Sequence, residues 1–241
     1  GDGTLHEALP ALAEADLPFA LLPFGRGNDF ARNSGMPTRI GRAWPAGRAL
    51  DVRRVDLPSV NGALFGSVAC LGFDAAVNRL ARGGGGFLGG TAGYIVCVLR
   101  ALASFRPFEA EIDLDGAVWS GPVMMIAVAN GPCYGGGMRI APGARMDDGL
   151  LDVCVVGRMS SLSLARQFPR VFAGTHVRHP SVRMQWARRV RIETDRRREI
   201  WADGELAGET PARLEIGSRS LRVLVPSRAV GVRPHGEEAA A

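Results

Sequence analysis

Four short stretches hold the residues best suited to chemistry. Gly1-Asp2-Gly3-Thr4 opens an amphipathic segment. Glycines let backbone N–H groups close on phosphate oxygens, and a helix N-terminus adds partial positive charge. The Asp suits a metal or its waters, and the Thr hydroxyl suits a phosphate oxygen. Alone, the tetrapeptide reads first as a turn with an N-cap. Pro23-Phe24-Gly25-Arg26-Gly27-Asn28-Asp29-Phe30-Ala31-Arg32 repeats the theme of strand, glycine loop and helix. By itself it is an ordinary tight connection. Two such loops about 20 residues apart are harder to dismiss, since ligands of open α/β sheets bind at the carboxyl ends of strands. Gly135-Gly136-Gly137 and then Asp147-Asp148-Gly149-Leu150-Leu151-Asp152 place adjacent carboxylates in a glycine turn, where carbonyls and carboxylates suit a hard cation. The competing reading is a hairpin with solvated Asp side chains. Trp201-Ala202-Asp203-Gly204-Glu205 sets a Glu just past a tight turn, as a general base or as a plain hairpin residue.

The elements around these stretches change character along the chain. Thr4 to Ala15 predicts a helix, with Thr4 and Glu7 spaced as a capping box and Leu5, Leu9 and Leu12 on one face. Pro10 predicts a kink or an early end. Phe19 to Leu22 predicts a buried parallel strand, and Asn28 or Asp29 caps a short helix to about Asn33. From residue 48 to about 225 the pattern turns to strands: Leu50–Leu57, Ala63–Leu71, Phe108–Leu114, Val118–Ala129, Leu151–Val156, Val182–Trp186, Val190–Thr194, Glu199–Ala202, Ala212–Ile216 and Leu221–Val225. Turn pairs Asn61-Gly62, Asp115-Gly116 and Asp203-Gly204 separate several of them. Helices are predicted at Ala75–Arg82, Tyr94–Ser104 and Ser161–Ala173, and a disordered tail at Glu237–Ala241. The expected fold class is α/β plus β: an incomplete α/β nucleotide-binding domain, residues 1–47, joined to a β-sandwich-like domain, residues 48–225, with residues 226–241 a candidate to return to the first. A phosphate loop follows a strand that needs neighbours, so further α/β elements are expected before Gly1.

Together, and in this order, the motifs resemble the diacylglycerol kinase catalytic-domain family, which includes bacterial lipid kinases and is related to sphingosine and ceramide kinases. The family pattern G-G-D-G-T, P-x-G-T-x-N-D-F-A-R, G-x-D-A, G-G-G-x-x-x-x-P-x-A-x-x-D-D-G-x-L-D and D-G-E falls on Gly1–Thr4, Pro23–Arg32 with Gly35-Met36-Pro37, Gly72–Ala75, Gly135–Asp152 and Asp203–Glu205. The resemblance implies ATP phosphates held by Gly1, Asp2, Gly3 and Thr4 and by Gly25, Arg26, Gly27, Asn28 and Asp29. It implies Glu205 as general base for a lipid hydroxyl. It implies a structural Mg²⁺ on Asp148 with Arg145 and Leu150, with Asp56 and Asp152 as water-mediated neighbours, and an active site between a split α/β domain and a β-sandwich. Three departures stand out: the first Gly of G-G-D-G-T is absent, His6 stands where the family often has Asn, and Arg26 replaces the usual Thr.

Composition narrows the alternatives. The chain of 241 residues is 46% hydrophobic and 22% charged, and its longest apolar run falls well short of the roughly 18 residues of a membrane span. Every basic residue is Arg, so phosphate contacts must come from Arg, backbone N–H groups or a metal. The formal charge of +5 and the cluster Arg188, Arg189, Arg191, Arg196, Arg197, Arg198 fit either a solvated face or docking to anionic lipid. Cys70, Cys97, Cys133 and Cys154 lack metal-site spacing and read as reduced core residues of a cytosolic protein. Gly83–Gly93, with seven glycines in eleven residues, reads as a mobile loop near a lipid entrance. The expected partners are a membrane lipid substrate and an anionic membrane surface, met peripherally at the inner face of the membrane; a homodimer is compatible, and no nucleic acid is expected. Two other functions remain open: an NAD kinase-like enzyme, which shares G-G-D-G, and a non-catalytic nucleotide- or lipid-binding module.

Overall fold

The structure is a computed structural model, and it describes residues 1–38, 50–82, 96–98, 100–101 and 105–227. The expected glycine-rich loop at Gly83–Gly93 and the tail Glu237–Ala241 lie outside the described residues, as does most of the helix expected at Tyr94–Ser104; residues 96–98 and 100–101 of that segment are helical.

The chain begins with helix α1 (Asp2–Ala15) and helix α2 (Asp29–Ser34). Strands then dominate: β1 (Leu50–Val60), β2 (Ala63–Leu64) and β3 (Val68–Gly72), followed by helix α3 (Phe73–Arg82), β4 (Phe108–Leu114), β5 (Ala117–Ala129) and β6 (Leu151–Gly157). Helix α4 (Ser161–Ala173) precedes β7 (Val182–Ala187), β8 (Arg189–Thr194), β9 (Glu199–Ala202), β10 (Glu205–Glu209) and β11 (Ala212–Pro226). The strands pair antiparallel in the order β10-β9-β3-β5-β4-β8-β11-β1-β2, with β6 branching from β5 and β7 from β6. The expected β-sandwich-like architecture beside a partial α/β portion is what forms.

Strand β5 is the place where the layers diverge. Its first half, Ala117–Val123, pairs with β4, while its second half pairs with β3 and with β6. The wholly apolar run Val123–Ala129 is buried throughout because both of its faces are covered. Ile126 and Val128 join one core with Ala69, Leu71, Ile192 and Leu214. Met125 and Ala127 join a second core with Cys70, Phe73, Trp201 and the helix residues Val77 and Val98. By contrast β4 and β8 alternate buried and exposed residues, as half-covered strands should.

A third core sets the N-terminal helices on the sheet. Leu5 and Leu9 of α1 pack with Val55 and Leu57 of β1, Leu221 and Val223 of β11, Phe30 of α2 and Met146. The face expected for α1 is the one it buries. The helix begins earlier than expected and runs through Pro10 to Ala15; Gly1 is its N-cap, and no side chain caps it, so the Thr4 capping box does not form. The strand expected at Phe19–Leu22 is reduced to one parallel bridge, Phe19 to Val223. The strand expected over Ala63–Leu71 is two, β2 and β3. The two expected at 212–225 are one, because β11 pairs with β8 at its start and with β1 along the rest. Strand β10, not expected, completes a hairpin with β9. All four cysteines are free and buried, and burial pushes the Cys154 thiol up to about 12.

Gly72 ends β3 at φ +96°, and a Cβ there would lie 2.5 Å from the Met124 carbonyl oxygen and 2.9 Å from the Phe108 ring. The backbone can turn into α3 only without a side chain. Gly72→Ala is expected to cost about 3 kcal/mol in denaturant unfolding, from strain and overpacking combined; a loss below about 0.5 kcal/mol would contradict this.

Candidate functional site

Both glycine loops and the hairpin turn meet at the N-terminus of α1. Leu5 makes the first helical hydrogen bond, to the Gly1 carbonyl at 3.1 Å, so the amides of Asp2, Gly3 and Thr4 have no partner within the helix. The second loop lies directly against this turn: a Cβ on Gly25 would sit 2.8 Å from the Gly1 Cα and 2.8 Å from Asn28 Oδ1. Asn28 holds the loop closed. Its backbone is left-handed at φ +50°, which frees its side chain from capping α2. Instead Oδ1 accepts from the Gly25 amide at 2.9 Å, and Nδ2 donates to the Gly25 carbonyl at 2.7 Å and the Pro23 carbonyl at 3.2 Å.

The missing cap comes from the other loop. Asp2 Oδ1 accepts from the Phe30 amide in the first turn of α2, at 3.3 Å. Asp2 is thus engaged in joining the two loops. Asp29 reaches a third glycine segment: its Oδ2 accepts from the Gly136 amide at 2.7 Å, and its Oδ1 pairs with Arg32, which also donates to the Gly27 carbonyl at 3.2 Å. Burial raises the Asp29 carboxyl above its ordinary range, while the Gly136 amide and the Arg32 guanidinium pull it back. Arg26 is exposed on the loop and Thr4 on the helix.

Glu205 arrives from the opposite side. Asp203 (φ +52°) and Gly204 (φ +86°) form the tight turn between β9 and β10. Asp203 accepts three backbone hydrogen bonds from the segment leading into β3: Gly66 at 2.6 Å, Ser67 at 2.9 Å and Val68 at 3.2 Å. His6 of α1 approaches the same carboxylate, Nδ1 to Oδ2 at 3.4 Å. Next in line, Glu205 Oε1 lies 4.0 Å from where a Cβ on Gly3 would be. The turn therefore brings a carboxylate to the open amides of α1.

The turn before β6 is arranged differently from its sequence. Asp147 is ion-paired with Arg53 at 3.0 Å and Arg145 at 3.2 Å. Asp148 Oδ1 accepts from the Leu150 amide at 3.1 Å, and Asp56 Oδ2 from the Gly149 amide at 2.8 Å. Burial and the neighbouring Asp148 push the Asp152 carboxyl up to about 6. Among the described residues no three acidic, His or Cys side chains are grouped to hold a metal. A cation at this turn would take backbone carbonyls beside Asp148, a donor set of the kind expected from Arg145 and Leu150.

Several supporting residues carry no local signal. Asn33 of α2 mimics a strand partner for Cys133, accepting from its amide at 2.9 Å and donating to its carbonyl at 2.8 Å. Asn130 donates to the carbonyls of Asp56 and Gly66. Asp74, at the start of α3, is buried and accepts from Cys70, Asn78 and Tyr134, with burial holding its carboxyl above the ordinary range. Asp74 also lines an apolar cavity of about 60 Å³ between α3, α4 and the sheet. The second expected site, the Arg cluster, is exposed except for Arg198, which lies over the Phe108 ring, and it is largely ion-paired: Arg189 to Asp115, Arg191 to Glu193, Arg197 to Glu209 and Arg198 to Asp195.

Known proteins are similar to this chain in sequence and in fold. Residues 66–225 match the YegS C-terminal NAD kinase beta sandwich-like domain, and residues 1–60 match the diacylglycerol kinase catalytic domain. A diacylglycerol kinase of Mycobacterium tuberculosis is 34% identical over 235 residues, which are 94% of this chain and 75% of that protein. The chain belongs to the diacylglycerol kinase family of lipid kinases. A YegS-like lipid kinase of Pseudomonas fluorescens is also 34% identical, over 94% of this chain and 75% of its own. A crystal structure from Bacillus anthracis strain Sterne, described as a candidate diacylglycerol kinase, superposes with a TM-score of 0.71 at 26% identity, over 95% of this chain and 76% of that one.

The contact with Asp203 is the main cause that raises the His6 pKa above 6.5. A raised folded-state pKa means the contact stabilises fully below pH 6.5 and loses that contribution as pH rises through the folded value. The melting-temperature difference between wild type and His6→Ala should therefore be largest below pH 6.5 and shrink at alkaline pH. A difference constant with pH would remove the charged contact.

Proposed function

We propose that this chain carries the phosphoryl-transfer site of an ATP-dependent lipid kinase, with Glu205 as general base. The observation that carries the reading is the Glu205 carboxylate beside the first turn of α1, where both glycine loops converge. Positive partial charge and unpaired amides collect on one side, a proton acceptor on the other. That is the division of labour that moving a phosphoryl group to a hydroxyl requires.

In this reading the amides of Asp2, Gly3 and Thr4 and the loop from Gly25 to Asp29 hold the ATP phosphates. With no lysine in the chain, backbone amides and Arg26 provide the positive charge. Glu205 takes the proton of the lipid hydroxyl as its oxygen bonds to the γ-phosphorus and the bond to the β-phosphate oxygen breaks. Asp203 positions Glu205 by fixing the turn before it. Much of the rate enhancement then comes from positioning. A Mg²⁺ ion on Asp148 with the carbonyls of Arg145 and Leu150 would brace the turn before β6, neutralising the crowded Asp148 and Asp152 carboxylates. Residues 1–47 serve as part of the nucleotide domain and residues 48–225 as the lipid domain in this account. The apolar cavity beside Asp74 supports a lipid acceptor, because nothing in NAD calls for a nearly all-apolar wall. No helix of the described residues is long and apolar enough to cross a membrane; in this reading peripheral docking brings enzyme and lipid together. The exposed Arg residues are candidates for that contact at an anionic inner face.

Glu205→Gln keeps the shape of the site and removes the base. In full-length protein it should lower turnover on the order of 10²–10⁴-fold with ATP affinity retained. Near-normal turnover would remove Glu205 from that role.

A further inference from the structure

Two of the residues that line the apolar cavity carry a buried, unpartnered polar atom for which the phosphoryl-transfer chemistry has no use. The cavity walls include Phe73, Val77, Met125, Val156, Phe168 and Val171. Set into them are Gln167 of α4 and His176 of the short 3₁₀ turn Thr175–Arg178 that follows. Gln167 is 6% exposed and His176 2%. Gln167 Oε1 and His176 Nδ1 have no hydrogen-bond partner among the described residues. Each unmade bond is a cost to folding, and a site that only needed filling would tolerate Leu or Met without it. Asp74, another polar wall residue, is by contrast served by three donors, one of them the hydroxyl of the lining residue Tyr134.

The chemistry of the missing partner follows from the ring of His176. Its Nε2 lies 3.2 Å from the Ile140 carbonyl oxygen. A carbonyl can only accept, so Nε2 carries the hydrogen. Burial lowers the His176 pKa, so the ring is neutral at physiological pH and Nδ1 offers a lone pair. Nδ1 therefore needs a donor. The Gln167 amide is more adaptable, since turning it over presents either oxygen or N–H₂. A hydroxyl can meet either demand: it donates to Nδ1 and can exchange a hydrogen bond with the amide. Plain hydrocarbon and ester carbonyls have no donor to give. A charged headgroup would lose its hydration against apolar walls.

We propose that this cavity receives an aliphatic chain bearing a hydroxyl, which donates to His176 Nδ1 and satisfies Gln167, so that the enzyme selects lipids with hydroxylated chains over unsubstituted ones. The inference rests on the lipid-kinase reading and deepens it. One lipid is long enough to serve both places. Asp203 holds the start of β3 through Val68, and Asp74 follows its end at Gly72. Four residue steps of strand separate Val68 from Gly72, about 13 Å, a span well within one lipid molecule.

The test is displacement of a pyrene-labelled acylglycerol from the full chain in detergent micelles. The competitors are monoacylglycerols with one hydroxyl at successive chain positions and the unsubstituted chain. At least one hydroxylated isomer should compete about tenfold better than the plain chain, the gain of one well-made hydrogen bond. His176→Leu should bring that ratio close to one and Gln167→Met should lower it, each while strengthening binding of the plain chain. Gln167→Met keeps length and the His176 contact, so it decides the matter if His176→Leu fails to fold. Equal competition by every isomer in wild type, or a preference that both variants retain, overturns the inference and leaves the lipid reading standing. A probe that does not bind at all overturns both.

Discussion

The site depends on one carboxylate that does no chemistry. Asp203 gathers three amides from the segment entering β3 and faces His6 of α1, so it fastens a hairpin turn to a strand more than 130 residues earlier and to the first helix. Three backbone N–H bonds on one carboxylate are charge-assisted and directional, and they leave the turn little freedom. Glu205 is two residues further on. Its place beside Gly3 is therefore set by a bond network that begins in another part of the chain. The register of β3 with β9, Ala69 opposite Ala202, extends the same constraint into the sheet.

The loops at the N-terminus follow a similar economy. Asp2, Asn28 and Asp29 are engaged with backbone amides or neighbouring side chains: Asp2 caps α2, Asn28 closes its own loop, and Asp29 reaches Gly136. Side chains with chemically suggestive positions thus act as scaffolding, and in the proposed reading main-chain amides, with Arg26, are what face the phosphates. In a chain without lysine that is a workable solution, because the amides of a helix N-terminus carry no desolvation penalty comparable to that of a buried ammonium.

Much of this was legible from sequence, for identifiable reasons. The apolar run Val123–Ala129 could only be a strand covered on both faces. Leu5 and Leu9 mark the buried face of α1, and Ser160 and Gly174 bracket α4, whose predicted bounds Ser161–Ala173 coincide with the helix. What escaped reading depended on distant contacts. Nothing near Asp203 in sequence points to Gly66, and nothing near Asn33 points to Cys133. Residues 217–220 look like a break between two strands, yet β11 continues through them because β1 pairs along most of its length. Asp2 and Asp147 look like ligands by type; their partners Phe30, Arg53 and Arg145 give them structural work. Gln167 and His176 escaped because a Gln on an amphipathic helix ordinarily faces water, and only the packed cavity shows otherwise.

The central claim is that Glu205 and the converged loops transfer phosphate to a lipid. Its most direct test is incubation of the full-length protein with γ-labelled ATP and Mg²⁺ in the presence of both extracted membrane lipids and NAD, followed by phase separation. The account predicts label in the organic phase, dependent on Glu205. Label confined to NAD in the aqueous phase, or ATP bound tightly with no transfer to either acceptor, would contradict it.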